Sequence, residues 1–440
     1  MGAPAPAISR VHQGEWYAVS VSFVYFFCVL AAYYMIRPVR EQLAAAVGSL
    51  HLPVFYGATL VAMLALAPVF GWLVSRFPRR VVVPLVYLAF IACLVGFVPL
   101  FARPELLGQR LLGTVFFVWV SVFNLFVVSV FWIFMSDIWV PAQARRLFPI
   151  IAVAGTAGAL AGPALTRTLV TTLGVAPLLL VSAALLGIGV ACVVLLGHWS
   201  RRHGQRRHEA GHESAVGGGM WDGLKQVFRD PFMRGMAILL LLADGIGTVN
   251  YALVADYSGA TFPDAVARTR FAANLDLATN LLTAATQLTI TRWLLPRFGA
   301  GPAILLWALV SAGALMLVVV ADDPYAALVG TLPAVAIALV VSRGLAYGVA
   351  EPARHSLFAR VPRNLRYKGQ NVVDTAVWRF GDLMIATGMN AVRTVGVGIA
   401  GFAALSACAA AAAAGLGWQL SRRVESGPPG GARPGTVAPS

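Results

Sequence analysis

Five polar residues of this chain, Asp276, Asn280, Thr283, Gln287 and Thr291, follow one another at steps of four, three, four and four. That spacing lines up side chains along one face of an α-helix. Other chemistry-bearing groups also recur at helical spacing in apolar surroundings. Tyr33, Arg37 and Arg40 fall at i, i+4 and i+7, with Pro38 placed to bend the helix and Glu41 able to reach back to Arg37. Arg343, Tyr347 and Glu351 recur at steps of four, Arg379 and Asp382 at i and i+3, and Asp244, Thr248 and Tyr251 add a further polar face. Guanidinium forks suit phosphate and carboxylate. A carboxyl shielded from water can take up and release a proton as its surroundings change, a role open to Asp244, Asp276 and Asp382. Each arginine could instead be neutralised within its own helix: Arg37 by Glu41, Arg343 by Glu351, Arg379 by Asp382.

The elements carrying these faces are apolar runs long enough to cross a bilayer. With 59% hydrophobic and 12% charged residues and a mean hydropathy of +0.78, the chain has too much apolar surface for water as its solvent. A charge at the bilayer centre costs about 2.5 to 3.5 kcal/mol, so ionisable residues there face a protein interior or a wet cavity. The pattern predicts an all-α membrane protein of about twelve transmembrane helices. The first half has spans at Trp16–Ile36, Val54–Ser75, Val81–Phe101, Leu111–Ser136, Phe148–Val170 and Ala176–Leu196. The second has Met233–Ala255, Ala265–Trp293, Pro302–Val320, Tyr325–Tyr347, Val372–Met389 and Val397–Leu420.

The organisation expected is two pseudo-symmetric six-helix halves, 16–197 and 233–420, joined by a basic cytoplasmic linker, 198–232, and followed by a disordered Gly/Pro-rich tail, 421–440. Arg-Phe turns at Arg76-Phe77 and Arg297-Phe298 occupy the same place in each half. The first also resembles the loop signature of the major facilitator superfamily, with Ser75 and Pro78 in place of its usual Asp and Gly. The net charge of +15 follows the positive-inside rule when both termini are cytoplasmic, so the basicity is topological and no nucleic-acid partner is expected. Cys28, Cys93, Cys192 and Cys408 fall inside spans without a pattern for disulfides or metal. Gly155, Gly158 and Gly162, ahead of Pro163, form a small-residue face for close helix approach. His208-Glu-Ala-Gly-His212 matches the H-E-x-x-H zinc pattern but sits in a polar, glycine-containing stretch of the linker, so neither a metal nor a metalloenzyme is the primary expectation.

Longer runs carry a family likeness. Tyr33-Tyr-Met-Ile-Arg37-Pro-Val-Arg40-Glu41, the stretch from Phe117 to Asp137 with Ala144-Arg-Arg-Leu-Phe-Pro149, Ala267-Arg-Thr-Arg-Phe271 through Asp276 and Gln287, Glu351-Pro-Ala-Arg354-His-Ser-Leu-Phe358, Tyr367-Lys368, and Asn371-Val-Val-Asp374 to Arg379-Phe-Gly-Asp382 are its residues. Together they resemble the bacterial ATP/ADP translocase-like branch of the major facilitator superfamily. The resemblance implies a secondary transporter working by alternating access, in exchange or proton symport, with Arg37 and Arg40 at the basic pair used for phosphate. At two places the chain departs: Val120 or Ser121 stands where the translocases carry a glutamate, and Glu351 where an arginine precedes Pro352. The expected substrate is thus a small organic anion, with ATP, ADP and other phosphorylated metabolites as candidates.

The substrate-binding candidates are Tyr33, Arg37, Arg40, Asn124, Asp276, Asn280, Thr283, Gln287 and Arg343. The coupling or gating candidates are Glu41, Asp244, Glu351, Asp374, Arg379 and Asp382. A monomer in a bacterial cytoplasmic membrane, with no cofactor and no enzymatic activity, completes the expectation. The alternatives are a proton-coupled exporter of neutral or cationic compounds using Asp244 and Asp276, and a metalloenzyme using His208 and His212.

Overall fold

A backbone crossing hydrocarbon must satisfy its own N–H and C=O groups, which forces each long apolar run into a helix. The computed structural model describes residues 11–77, 79–203, 229–330, 332–359 and 377–425. In chain order the helices are α1 (Trp16–Val47), α2 (Leu52–Arg76), α3 (Arg79–Ala102), α4 (Gln109–Ile138), α5 (Pro141–Leu173), α6 (Val175–His203) and α7 (Pro231–Thr261). There follow α8 (Ala265–Thr286), running through a π-turn at Gln287–Thr291 into α9 (Arg292–Phe298), and α10 (Ala300–Val320). Next come α11 (Ala334–Leu345), a second π-turn at Ala346–Ala350, α12 (Glu351–Ala359), α13 (Trp378–Thr394) and α14 (Ile399–Glu425). Among the described residues, ten segments are long and apolar enough to cross a membrane. The helix in the place of the eighth expected span does not reach that measure because Arg268, Arg270 and Asp276 interrupt it, and the described helix in the place of the eleventh, Trp378–Thr394, is too short. The protein is an all-α, multi-pass membrane protein.

Several boundaries differ from those expected, for local reasons. The first span does not stop at Ile36. α1 continues with Pro38 inside it and ends where Gly48 turns to φ +92°, its N–H closing on Ala44 O. The tenth span does not begin at Tyr325. Asp322-Asp323-Pro324 and Gly330, at φ +60°, give a short antiparallel pair, β1 (Ala327–Val329) with β2 (Leu332–Pro333), and the helix starts only at Ala334. α6 reaches His203 inside the expected linker, and α14 reaches Glu425 inside the expected tail, where Arg422 stacks on Trp418 at 5.1 Å. The His208/His212 motif, Asp374, Tyr367-Lys368 and most of the linker and tail lie outside the described residues.

The chain divides into two compact units, one of Met1–Ala215 with Ala252–Leu281, the other of Val216–Tyr251 with Leu282–Ser440. The end of α7 and most of α8 thus cluster with the N-terminal helices.

In the first unit α1 packs against α4, α5 and α6. Its core holds Tyr25, Phe26, Phe123 and Phe131. Within it Tyr25 donates its hydroxyl proton to Tyr87 Oη at 2.7 Å, and Tyr87 donates to Val127 O at 2.9 Å. The α1–α5 seam is glycine-made. A Cβ on Gly158 would stand 2.5 Å from Phe27 O and 3.0 Å from Ala31 N, and one on Gly162 would stand 2.8 Å from Ala31 O. Thr166 Oγ1 donates to Met35 O at 2.9 Å and Ser182 Oγ to Ala32 O at 2.9 Å, adding polar contacts where hydrocarbon offers none.

In the second unit α10 lies between α14 and α11, and Trp307, fully buried, donates to Ser342 O at 3.1 Å. Outward-facing Val61, Leu288 and Val320 are 67%, 71% and 68% exposed, a surface suited to lipid.

Candidate functional site

Two polar centres emerge, one in each unit. In the first, Arg37 and Arg40 leave α1 on either side of Glu41. Arg40 Nη2 lies 2.5 Å from Glu41 Oε1, Arg37 Nε 3.7 Å from the same oxygen, and Arg37 Nη1 3.5 Å from Asp276 Oδ1 on α8. All four side chains are buried or nearly so. Two cations and two anions make this a formally neutral cluster. The expectation of Arg37 and Arg40 as open anion forks is therefore met by arginines already engaged with carboxylates. Aromatic faces complete their surroundings, Tyr34 at 5.7 Å from Arg37 and Phe117 at 4.8 Å from Arg40, while Arg40 Nη1 reaches Ser121 Oγ at 3.5 Å. Buried Tyr33 packs its ring on Tyr34 and Phe123. Asn124 is half-buried on α4 with no side-chain hydrogen bond among the described residues.

The polar stripe splits in use. Asp276 pairs with Arg37, and Asn280 Nδ2 donates to Ala159 O on α5 at 2.7 Å. The rest of the stripe belongs to the second unit and bonds to helix backbone: Thr283 Oγ1 to Gly344 O at 3.2 Å, Gln287 Nε2 to Tyr347 O at 3.2 Å and Thr291 Oγ1 to Gly348 O at 2.5 Å. A π-turn leaves carbonyls without regular helical partners. Here the side chains of one π-turn region satisfy the carbonyls of the other. These three donors therefore hold α8 to α11 and are not open to a substrate in this arrangement.

The second centre lies on α7 and α13. Asp382, 7% exposed, accepts from Thr248 Oγ1 at 3.3 Å and from Arg379 Nη1 at 3.3 Å. The Asp244 carboxyl faces Asp382 and the Trp378 indole. Its Oδ2 is buried and accepts no hydrogen bond among the described residues. Gly381 permits this approach, since a Cβ there would lie 2.6 Å from Leu241 and 3.1 Å from Asp244 Oδ2.

Arg343 does not pair with Glu351 as same-face spacing implied. Eight residues put Glu351 two helical turns from Arg343, and it instead binds Arg354 at 2.5 Å and His355 at 3.0 Å, each one turn away. Arg343 is half-buried over the Tyr251 ring at 5.9 Å and has no acidic partner among the described residues.

Sequence spacing did not reveal several tertiary ties. Asp256 accepts from the Ser49 backbone N–H at 3.0 Å and its hydroxyl at 2.7 Å, across 207 residues of chain. Glu15, just before α1, takes Arg146 at 2.7 and 2.8 Å, Gln143 at 2.8 Å and the His12 N–H at 3.0 Å. Burial favours protonation of Glu15, but these donors outweigh it and hold its carboxyl below the ordinary value.

No family model matches the chain, and no curated protein matches it. Solved structures do. A bacterial homologue of the iron transporter ferroportin in its inward-facing state superposes with a TM-score of 0.64 at 13% identity, over 92% of this chain and 99% of the other. The nucleoside transporter NupG, as a point mutant, gives 0.61 at 13% identity over 93% and 98%. The xylose transporter XylE from E. coli, inward open, gives 0.60 at 14% identity over 92% and 96%. The fold is that of the major facilitator transporters.

Proposed function

We propose that this protein is a secondary active transporter that carries a small organic anion by alternating access. A nucleotide or other phosphorylated metabolite is the favoured cargo, moved across a bacterial cytoplasmic membrane. The observation that carries the substrate class is Arg343: a permanent cation inside a spanning segment, without a carboxylate among the described residues, is costly unless a ligand supplies the charge. Its planar face rests on Tyr251, leaving the fork for the ligand. The neutral Arg37/Arg40/Glu41/Asp276 cluster then acts chiefly as a switch, in which an incoming anion competes with Glu41 or Asp276 for the guanidinium groups. The Tyr33–Glu41 run resembling the nucleotide translocases supports a phosphate-bearing substrate, and Val120/Ser121 and Glu351, where the chain departs from them elsewhere, leave the base open.

Coupling falls to Asp244 and Asp382. Two carboxyls facing each other, one with an oxygen lacking a donor, are best satisfied by a proton held between them. Arg379 and Thr248 hold Asp382 in place, so protonation would be read mainly at Asp244.

Uptake of labelled ATP, ADP and a non-nucleotide phosphate ester into proteoliposomes tests the reading, with and without internal substrate or a pH gradient. Arg343→Gln should abolish saturable uptake and Arg343→Lys should retain part of it. Asp244→Asn should remove the response to a pH gradient while exchange continues. Anion uptake by Arg343→Gln equal to wild type would overturn the substrate assignment.

A further inference from the structure

A second, lipid-facing site lies at the end of the α8–α9 segment. Thr289, Arg292, Trp293, Pro296 and Arg297 line a shallow cavity of about 270 Å³. They recur at i, i+3, i+4, i+7 and i+8, so a single helix face presents them all, and the π-turn at Gln287–Thr291 sets that face where α9 begins. Neither Arg292 nor Arg297 has an acidic partner among the described residues. Arg297 stands 5.3 Å over the Trp293 ring, which fixes its fork beside the cavity. The surroundings are apolar and outward-facing, with Leu288, Trp293 and Phe298 at 71%, 50% and 53% exposure.

Each component suits one kind of ligand. Two guanidinium groups without acidic partners among the described residues recognise a phosphodiester anion. An indole at the end of a spanning segment sits at headgroup depth. Exposed leucine and phenylalanine beside the cation pair offer acyl chains a surface that a soluble phosphate cannot use. Gly299, at φ +80°, ends α9 directly after Phe298, so the cavity lies at a helix terminus. We propose that this cavity binds the headgroup of an anionic phospholipid, with the phosphate between Arg292 and Arg297 and the acyl chains along Leu288 and Phe298. The site shares no residue with either polar centre, but it borders the π-turn whose Gln287 and Thr291 bond to the second π-turn, just after α11. A bound headgroup would therefore brace the helix pair that carries Arg343.

The test is native mass spectrometry of the full chain, titrated with phosphatidylglycerol, phosphatidylcholine, glycerol 3-phosphate and inorganic phosphate. Phosphatidylglycerol should bind in preference to phosphatidylcholine. The double variant Arg292→Gln/Arg297→Gln should weaken it roughly thirty-fold, from the usual gain per basic residue at an anionic membrane surface, with phosphatidylcholine unaffected. Arg292→Gln alone, which disturbs no contact described for the helix, should weaken it roughly fivefold and serves if the double variant does not fold. Unchanged phosphatidylglycerol affinity in either folded variant would overturn the site. Glycerol 3-phosphate binding as tightly as the lipid would overturn the lipid and leave a soluble anion as its occupant.

Discussion

Breaking the Arg37–Asp276 pair should cost the protein a large part of its stability. The two charged groups are 3.5 Å apart with side chains only 8% and 4% exposed. At an effective dielectric constant of about 20 that separation is worth about 5 kcal/mol of Coulomb attraction, before the cost of removing both charges from water. Truncating one member of a buried pair typically costs about 3–5 kcal/mol, because the other charge is left behind. Glu41 lies 3.7 Å from Arg37 and takes up part of the orphaned charge, which places Asp276→Leu near the lower figure. Arg37→Met should be at least as damaging, since it leaves two carboxylates to share Arg40. The double variant Arg37→Met/Asp276→Leu removes both charges and should recover most of the loss. The assay is equilibrium unfolding of all four proteins in mixed micelles, read by far-UV circular dichroism and analysed as a double-mutant cycle. A coupling energy below about 0.5 kcal/mol, the scatter expected of independent sites, would refute the reasoning.

Three other outcomes are expected. Glu15 contributes stability that is complete above the unfolded carboxylate's value of about 4.3 and is lost as pH falls through its lower folded value. Thermal unfolding between about pH 3 and pH 6 should therefore lose its acid limb in part in Glu15→Gln, and an identical pH profile would refute the assignment. Gly158→Ala should destabilise by about 1–3 kcal/mol, because its Cβ meets backbone atoms of Phe27 and Ala31 that cannot swing aside, whereas Gly187→Ala, with open space around it, should be neutral in the same unfolding measurement. Thr291→Val should cost about 1 kcal/mol by leaving Gly348 O without its donor, and a loss equal to that of a lipid-facing control such as Thr168→Val would count against the paired π-turns.

The apolar runs that became helices were legible in the sequence because hydrocarbon leaves the backbone few alternatives. Side-chain faces were legible, but the choice of partner along a face was not always so. Arg343 and Glu351 read as one face at two steps of four, yet Glu351 has Arg354 and His355 one turn away and pairs with them instead. Arg37 with Glu41 and Arg379 with Asp382 are near in sequence and were readable as pairs. Asp276 as the further partner of Arg37, and Asp256 as the partner of Ser49, depend on which helices meet, and a single chain's spacing holds no record of that. The reversed use of Thr283, Gln287 and Thr291 has the same origin: periodicity put them on one face but could not say that the facing helix had carbonyls to spare.

The glycine seam between α1 and α5 bears on how this protein can change over generations. Where Gly158 and Gly162 meet Phe27 O and Ala31 O, the two helices touch through main-chain atoms, which every amino acid carries alike. At Gly158 and Gly162 almost any side chain on α5 would meet that main chain, whereas α1 carries ordinary side chains, Phe27, Leu30 and Tyr34, along the same line. Tolerance to mutation is thus divided unequally between two helices that share one boundary.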